Sequence, residues 1–575
     1  MPLPPTTTPP GDETPVRGRD DACPGALRLH PADDGSLARI RVPGGLLTAR
    51  QARAVGRLAE ELGDGRLDIT SRGNLQVRGL EAGCGAELAA RLRAAGLLPS
   101  DRHDRVRNIV ASPLSGLDSR GHADVAAWVR ELDTVLCDDT PAGHGELSGL
   151  SGRFLFALDD GRGDVAALGA DVTLIATPDS GALLRVGGPL PCPGVSSPSP
   201  SSGATTHPDT APRRTPRTDG SALPDGDAGA SADDAGVAGV AGVATDGSVA
   251  GGDLWVRSGD APRAAALAAV EFLAKARESG TRAWRVRELP ARHAVTADGL
   301  AARLADAGIE AVPVERGPAG ASAAPPAPGP VPGPHGRHAL SVVLPLGRVS
   351  AAQWRLLTAL ASQGGADELR MTPWRGVVLP GFSPADARGA ALELSDAGLV
   401  TAPDSPWLGV GACTGRPGCA KSLADVRADT ARMVSGTART VADAAHLVDA
   451  AHRVAGASSD GGRPRGDLAG DVRTDGGRCG DDRTGDDRCG DDRCGDGRTG
   501  GDPLPTWPGP LPVYVSGCAR RCGHPGGRYV DALATGDTAY RVTVRSAGDD
   551  TPEADSVDVT AEQLAGAVAA ARGTT

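Results

Sequence analysis

The stretch PGGLLTARQARAVGRLAEELGDGRLDITSRGNLQ at residues 43–76 occurs a second time, as PLGRVSAAQWRLLTALASQGGADELRMTPWRGVV at residues 345–378. The two copies align without a gap. The matched turn, helix-cap and strand positions are Pro43 with Pro345, Gly45 with Gly347, Thr48 with Ser350, Gln51 with Gln353, Arg53 with Arg355, Leu58 with Leu360, Leu67 with Leu369 and Thr70 with Thr372. Chance similarity between alanine-rich helices would not match such residues. The repeat predicts two packed copies of one α+β module.

Each copy has the pattern of a strand, a helix and a second strand. In the first copy, residues 37–42 alternate as a strand does, and a helix is expected from Thr48, a good N-cap, to about Leu62. A strand follows from Arg66. The second copy predicts a strand at 339–344, a helix capped by Ser350 and a strand near Glu368.

Longer segments follow each module. After the first, we expect a helix at 125–136, strands at 153–158 and 183–186, a helix at about 262–279 and a further ordered segment at 295–307. After the second, a helix is predicted at 422–434.

Three stretches are predicted to be unstructured, because they hold too few large apolar side chains to offset the entropy of an ordered chain. They are a Pro/Thr-rich tail at 1–22, a Ser/Pro/Gly/Asp/Ala insertion at about 192–251 and a degenerate Gly-Asp-Asp-Arg-Cys repeat at about 457–503. We do not expect the cysteines of that repeat (Cys479, Cys489 and Cys494) to bind metal, since their spacing follows the repeat unit.

Charge and hydropathy exclude several classes of partner. The formal net charge is −12 and no extended basic stretch occurs, so a nucleic-acid partner is not expected. No apolar run of the length needed to span a bilayer is present, and the N-terminus lacks the features of a signal peptide. We therefore expect a cytoplasmic protein without a membrane partner. In a reducing compartment, closely spaced cysteines indicate metal binding more often than disulfides.

Two cysteine clips lie towards the C-terminus: Cys413-Thr-Gly-Arg-Pro-Gly-Cys419 and Cys518-Ala-Arg-Arg-Cys522. Four thiolates on short loops suit an iron–sulfur cluster. Zinc is the alternative, but zinc clips usually leave two to four residues between their cysteines, and the first clip has five. Flanking glycines let the chain turn tightly and direct N–H groups at sulfur; they are Gly411, Gly415, Gly418, Gly517 and Gly523.

Other candidate ligands are weaker. His524, two residues after Cys522, has three possible roles: iron ligand, proton donor, or a hydrogen bond to a carbonyl. The remaining cysteines are isolated and have no assigned role; they are Cys23, Cys84, Cys137 and Cys192. Lys421 is expected either to attract a negative cluster or to be a surface residue.

The order module, segment, module, cysteine segment resembles the sulfite/nitrite reductase family. The resemblance is carried by Asp68–Gln76, Arg107-Asn108 with Pro113, Gly152-Arg-Phe154 and the two clips. It implies an α+β fold of two pseudo-symmetric ferredoxin-like half-domains packed with two α/β domains that bind a cluster and a tetrapyrrole. It also implies a [4Fe–4S] cluster held by Cys413, Cys419, Cys518 and Cys522.

The resemblance sets the expected domains. They are half-domain 1 at 23–100, the first reductase-type domain at 101–191 and 252–320, half-domain 2 at 335–400 and the cluster domain at 401–456 and 504–570, with the tail and insertions given above between them.

Within this family, the ending Ser-Gly-Cys518…Cys522-Gly-His-Pro525 is similar to the precorrin-3B synthases of aerobic cobalamin biosynthesis. That resemblance implies an oxygen-dependent mono-oxygenase that hydroxylates precorrin-3A and closes a ring acetate as a lactone, with a mononuclear non-haem iron beside the cluster. Sirohaem sulfite reductases carry a Lys-Phe-Lys strand that supplies protons, whereas this chain has Arg153-Phe154-Leu155. An Arg hardly releases a proton near neutral pH, and a Leu has none to release.

A macrocycle ringed by carboxylates calls for several guanidinium groups. The candidate substrate-binding residues are Arg72, Arg78, Arg105, Arg107, Asn108, Arg153 and Arg375. Arg72 and Arg375 are expected to face one cavity, although the strict counterpart of Arg72 in the repeat is Trp374. Solvated surface arginines are the competing interpretation.

Two other functions stay open at this point. One is a sirohaem-dependent sulfite or nitrite reductase, and the other is a tetrapyrrole-binding iron–sulfur protein without turnover. No dinucleotide or flavin fingerprint is present, so an external electron donor is expected, either a ferredoxin or an NAD(P)H-dependent reductase.

Overall fold

The computed structural model describes residues 21, 23–138, 140, 144–187, 252–315, 325–436, 510–524, 528–546 and 556–573. The stretches 192–251 and 457–503, with Cys192, Cys479, Cys489 and Cys494, lie outside the described residues, as does all of the predicted tail except Asp21.

The first module begins with a hairpin and contains two helices. Its elements are β1 (His30–Ala32), β2 (Gly35–Ile40), β3 (Leu46–Thr48), α1 (Ala49–Leu62), β4 (Arg66–Ile69), β5 (Leu75–Leu80) and α2 (Gly85–Ala94). The predicted cap of α1 is confirmed, because the Thr48 hydroxyl accepts the N–H of Gln51 at 3.2 Å. The Gln51 side chain in turn accepts the N–H of Thr48 at 3.1 Å, which completes a capping box.

A six-stranded sheet follows. Its elements are β6 (Ile109–Ala111), α3 (Val125–Leu136), β7 (Phe156–Asp159), β8 (Val172–Ala176), β9 (Gly181–Val186), β10 (Asp253–Arg257), α4 (Ala261–Ser279), α5 (Ala297–Asp306) and β11 (Ala311–Val314). The strand order is β11-β10-β9-β8-β7-β6. The predicted strand at 153–158 begins instead at Phe156, because the N–H of Leu155 donates to the Asp171 carboxylate at 2.9 Å rather than to a neighbouring strand.

The second module repeats the first. Its elements are β12 (Gly329–Pro332), β13 (His338–Val343), β14 (Arg348–Ser350), α6 (Ala351–Gln363), β15 (Glu368–Met371), β16 (Gly376–Phe382) and α7 (Pro384–Asp396). Ser350 and Gln353 form the same capping box. The irregularity of pairing between Ser36 and Ala38 in the first module recurs between His338 and Leu340 in the second.

The two modules exchange strands. One sheet has the order β1-β2-β5-β4-β14, so its last strand comes from the second module. The other has the order β12-β13-β16-β15-β3, so its last strand comes from the first. The α+β architecture of two pseudo-symmetric ferredoxin-like half-domains is thereby confirmed, and neither five-stranded sheet is complete without the other module.

Helices α1 and α6 pack against each other at the centre of this pair. The fully buried indole of Trp354 donates to the carbonyl of Ala52 at 2.8 Å. Ala52 is the residue that aligns with Trp354 in the repeat. Gly56 allows the approach, since a Cβ there would lie 2.8 Å from Trp354 Cδ1. A single large side chain therefore fills the pseudo-symmetric interface.

The last sheet follows both modules. Its elements are β17 (Val410–Ala412), α8 (Val426–Gly436), β18 (Val513–Ser516), β19 (Tyr529–Ala534), β20 (Ala539–Arg545), β21 (Val557–Thr560) and α9 (Leu564–Ala571). The strand order is β17-β18-β19-β20-β21, in which β17, β18 and β19 are parallel. Within the part of the chain that the structure describes, no helix combines the length and apolar character needed to cross a bilayer.

Trp354→Ala should lower the free energy of unfolding by about 3–5 kcal/mol, because it empties a fully buried site and removes the hydrogen bond to Ala52. Urea unfolding followed by circular dichroism measures the loss. Leu392→Ala is the control, because Leu392 is 68% exposed and its truncation should change stability little. A loss below about 1 kcal/mol for Trp354→Ala would contradict the central role of this contact.

Candidate functional site

The two cysteine clips meet at one edge of the last sheet. Cys413 directly follows β17, and Gly517-Cys518 directly follows β18. These strands are parallel, with Ala412 opposite Val515. Because parallel strands end at the same edge of a sheet, their pairing brings the two clips together.

Backbone groups already organise the two loops around sulfur. The N–H of Gly517 donates to Cys413 Sγ at 3.2 Å. The N–H of Leu423 donates to the carbonyl of Gly517 at 2.8 Å, which ties the segment after the first clip to the second clip. Helix α8 begins only at Val426, four residues later than predicted, because the N–H of Ser422 turns back to the carbonyl of Cys419.

All four cysteines of the clips are free thiols. Three are half-buried and Cys522 is exposed. Burial raises the pKa of the Cys413 thiol, and the Gly517 N–H acts in the opposite direction. Burial also raises the pKa of Cys522, and its interaction with Cys518, Cys413 and Cys419 acts in the same direction. The sulfur atoms of the other three cysteines therefore lie close enough to Cys522 to influence its pKa.

Three of the candidate arginines lie around one turn, at Gly152. The guanidinium of Arg72 approaches the Gly152 carbonyl at 3.5 Å. Arg153 follows in sequence, and its guanidinium lies 4.9 Å from the centre of the Trp284 ring. Arg105 donates to the carbonyl of Asp21 at 3.0 Å, and the Asp21 carboxylate accepts the N–H of Gly152 at 2.7 Å.

A fourth arginine, Arg41, lies at this turn and was not predicted from the sequence. Arg41 is 2% exposed and donates to the carbonyls of Arg105 and Gly152, yet its Nη1 has no hydrogen-bond partner among the described residues. Burial, followed by the charge of Arg39, lowers its pKa. A guanidinium keeps its proton at neutral pH, so the site holds positive charge that an anion would stabilise. The sequence feature that could have identified Arg41 is its position just before the repeated turn at Pro43.

The other candidate residues already have protein partners. Arg107 is buried against Asp133, with bonds of 2.6 and 2.7 Å, and also donates to the Leu97 carbonyl. Arg78 forms a two-bond pair with Asp34 and reaches the Gly418 carbonyl of the first clip.

Asn108 is fully buried in a chain of hydrogen bonds between motifs. The Asn74 side chain accepts the N–H of Val42 and donates to Asn108, which donates to the carbonyl of Phe154. These hydrogen bonds bring together three of the motifs that carry the resemblance. They also fix the backbone that bears Arg41, Arg72 and Arg153.

Arg375 lies in the turn between β15 and β16 of the second module, and its facing one cavity with Arg72 stays a prediction. It has φ of +62°, as Gly73 has φ of +68° at the matching position, and its side chain packs against Gly347. Trp374, the counterpart of Arg72, packs instead against a small apolar cluster that includes Leu155 and Val165. The same backbone thus carries a cation in one module and an aromatic ring in the other.

His524 stacks on the ring of Tyr529, with centroids 5.6 Å apart, and lies near Asp531. Among the described residues, three metal-ligating side chains approach within 4.8 Å of one another only at Asp159, Asp160 and Asp164. Lys421 is exposed on the loop after Cys419. The role of His524 as an iron ligand stays a prediction.

The three aspartates have an internal structural role. Asp159 accepts four backbone N–H groups, from Gly161, Gly163, Val165 and Ala166. Asp160 pairs with Arg162, and the Ser112 hydroxyl donates to Asp164 at 2.6 Å. These bonds close the loop after β7.

The half-domains match a known family. The family model described as the nitrite/sulfite reductase ferredoxin-like half domain matches residues 30–95 and 331–397, which are the two modules. The match supports membership of the nitrite/sulfite reductase family for the two half-domains, which are the part of the chain that it covers.

Individual relatives carry different activities. The chain is 38% identical over 130 residues to a ferredoxin–nitrite reductase of Synechococcus elongatus, which is 22% of this chain and 25% of the relative. It is 34% identical over 118 residues to a precorrin-3B synthase of a Sinorhizobium species, which is 20% of this chain and 25% of the relative. Each match therefore spans about a quarter of the relative.

A solved structure shares the fold over a longer region. The Mycobacterium tuberculosis NirA protein aligns with a TM-score of 0.53 over 92% of this chain and 79% of that chain, at 18% identity. At this identity the likeness shows the fold alone.

Asp164→Asn should stabilise the protein increasingly as pH rises from about 4 to 7. Burial, followed by the charge of Asp159, raises the pKa of Asp164 to about 7, above the ordinary value of 3.8. The unfolded chain therefore releases this proton at lower pH than the folded chain, so ionisation costs stability across that interval. An Asn does not ionise.

Thermal unfolding at several pH values measures the difference between variant and wild type. Glu393→Gln, at an exposed position of α7, is the control for loss of a carboxylate. A difference for Asp164→Asn that stays constant from pH 4 to 7 would show that Asp164 is ionised throughout.

Proposed function

We propose that this chain is an iron–sulfur oxidoreductase that acts on a tetrapyrrole, and that its reaction is the oxygen-dependent conversion of precorrin-3A to precorrin-3B. The observation that carries the proposal is that the two cysteine clips, which follow paired parallel strands, meet at one edge of the last sheet. A group of arginines surrounds the Gly152 turn.

The spacing of the cysteines in the sequence favours a [4Fe–4S] cluster over zinc. Zinc clips usually leave two to four residues between their cysteines, and the first clip has five. The Gly517 N–H points at Cys413 Sγ, as amide donors around a cluster do. When bound, the cluster would supply single electrons.

The arginine group suits the carboxylates of the macrocycle. Arg41, Arg72, Arg105 and Arg153 surround the Gly152 turn, and Arg41 retains an unpartnered N–H within the described structure. Guanidinium groups bind carboxylates through paired hydrogen bonds, so an acetate or propionate arm would satisfy this buried charge. Arg78 and Arg107 are left out of the proposed binding set, because their guanidinium groups already have carboxylate partners.

The residues around Leu155 favour oxygen chemistry over reduction of sulfite. Leu155 is buried in an apolar cluster, and Arg153 lies over Trp284, so neither supplies the protons that a six-electron reduction consumes. In the proposed reaction, one atom of dioxygen enters the macrocycle and the other leaves as water. Two electrons from the donor and two protons complete this balance. A ring acetate then closes as the lactone by addition across a double bond of the macrocycle, to which its proton passes, so no further atom is lost. Dioxygen as a substrate rests on the resemblance to the precorrin-3B synthases.

A sirohaem-dependent nitrite or sulfite reductase is the second candidate. The match to the Synechococcus elongatus ferredoxin–nitrite reductase, at 38% identity, is closer than the match to the precorrin-3B synthase, at 34%. The same four cysteines and arginines would then hold the cluster and the carboxylates of sirohaem.

The electron donor is proposed to be a separate protein, a ferredoxin or an NAD(P)H-dependent reductase. Cys522 is exposed, so a cluster bound there would lie near the surface, within reach of a docked donor. The ferredoxin-dependent relative supports the first of these donors.

Anaerobic reconstitution of the full chain should yield about four iron and four sulfide per protein and a cluster spectrum without a haem band. Addition of precorrin-3A, dioxygen and a reductant should then give a product heavier by one oxygen atom, labelled when ¹⁸O₂ is supplied. A Soret-type band with nitrite- or sulfite-dependent turnover would establish the second candidate instead. Recovery of unchanged precorrin-3A would indicate binding without turnover.

Arg41→Gln and Arg72→Gln should each weaken binding of the tetrapyrrole by about ten- to a hundredfold, since each removes a charged hydrogen bond to a carboxylate. Anaerobic absorbance titration gives the dissociation constants. Arg50→Gln, at an exposed position of α1, is the matched control. Unchanged affinity in both variants would place the macrocycle elsewhere.

A further inference from the structure

Cys419 is held on both sides by the first half-domain. The carbonyl of Gly418, the residue before it, accepts a hydrogen bond from Arg78 Nη2 at 3.0 Å. The N–H of Ala420, the residue after it, donates to the carboxylate of Asp33. Arg78 lies on β5 and Asp33 in the turn between β1 and β2, so both contacts come from one sheet.

Arg78 is fixed before it reaches the clip. Its Nε and Nη2 each lie 2.8 Å from an oxygen of Asp34, in the two-bond geometry that orients a guanidinium most firmly. Arg78 is 5% exposed, so this pair is shielded from solvent. The third hydrogen bond, to Gly418, is therefore made by a group that cannot easily turn away.

The approach of the clip to this pair requires a glycine. A Cβ on Gly418 would lie 2.8 Å from Asp34 Oδ2 and 2.9 Å from Arg78 Nη2. Real Cβ atoms essentially never show contacts below 3.0 Å, so a side chain at 418 would require Asp34, Thr414 or Arg78 to shift. Gly418 serves this contact as well as the turn predicted from the sequence.

A second link joins the same half-domain to the segment after the clip. Asp68 on β4 lies 3.1 Å from the guanidinium of Arg427 on α8 and 3.4 Å from that of Arg348 on β14. Asp68 thus connects the first half-domain, the exchanged strand and the first turn of α8. The half-domain therefore restrains both the C-terminal end of the first clip, at Cys419, and the helix that follows it.

We propose that Arg78, with Asp34 and Asp33, is a positioning element for the Cys419 ligand of the cluster, and that the Arg78 cation stabilises the reduced cluster. The inference rests on the proposed function, because it concerns the [4Fe–4S] group assigned there. Arg78 is thereby assigned to positioning the cluster loop and not to binding the substrate. Groups that orient ligands from outside the coordination sphere typically change metal affinity ten- to a hundredfold when removed.

The test compares reconstituted full-length variants by two measurements, the release of iron to a chelator and the midpoint potential in a redox titration monitored by electron paramagnetic resonance. Arg78→Gln should release iron about tenfold faster or more and shift the potential to more negative values, because it removes a cation beside a group that gains an electron. Arg78→Lys should keep the potential near wild type and still lose iron faster, since it keeps the charge without the fork.

The matched control is Arg185→Gln. Arg185 forms a similar buried pair with Asp253, at 2.7 Å, in the six-stranded sheet, which carries none of the four clip cysteines. The Arg185→Gln variant should be less stable than wild type, with unchanged iron release and an unchanged midpoint potential of the cluster.

Asp33→Ala provides a variant at an exposed turn in case Arg78→Gln does not fold. It should speed iron release through loss of the Ala420 contact. Wild-type retention and potential in the folded variants would overturn the inference, while a wild-type protein that forms no [4Fe–4S] cluster would instead refute the proposed function.

Discussion

The exchange of β3 and β14 between the two modules is the constraint on which the rest of the structure depends. Each exchanged strand pairs with a strand of the other module, β14 with β4 and β3 with β15, and covers an edge that would otherwise be unpaired. The modules are consequently fixed in one relative orientation, with Trp354 between α1 and α6. Segments attached to either module inherit that orientation, including the Gly152 turn and the first cysteine clip.

The two modules have similar backbones, but their side chains differ at matching positions. Arg39, Arg41 and Arg72 of the first module align with Ser341, Val343 and Trp374 of the second. The alignment is structural as well, because Ala38 pairs with Val77 as Leu340 pairs with Leu379. One module therefore carries guanidinium groups where the other carries uncharged side chains, of which Val343 and Trp374 are apolar. A macrocycle with an apolar ring and charged arms requires both kinds of surface.

Local patterns in the sequence were sufficient to predict the two modules. They could not predict contacts between residues that are far apart in the chain. Capping boxes, strand alternation and the repeat each depend on residues within a few positions, so α1, α6 and their flanking strands were predicted closely. Strand exchange depends on pairing between residues about 280 positions apart, such as Asp68 and Arg348, which no local pattern encodes. For the same reason the sequence identified arginines as candidates but not their partners. Asp34 and Asp133 pair with Arg78 and Arg107, whereas the Nη1 of Arg41 has no hydrogen-bond partner among the described residues.

The position of the clips also explains how about a hundred residues of chain can separate them without affecting their geometry. Cys413 and Cys518 are placed by the ends of β17 and β18, whose parallel pairing fixes Gly411 opposite Tyr514. Parallel strands always need a crossover connection, so the chain between them leaves the sheet and returns whatever its length. The first clip is then held from a different direction, by Arg78 and Asp33 of the half-domain. The first clip is thus fixed by strand pairing at Cys413 and by the half-domain at Cys419.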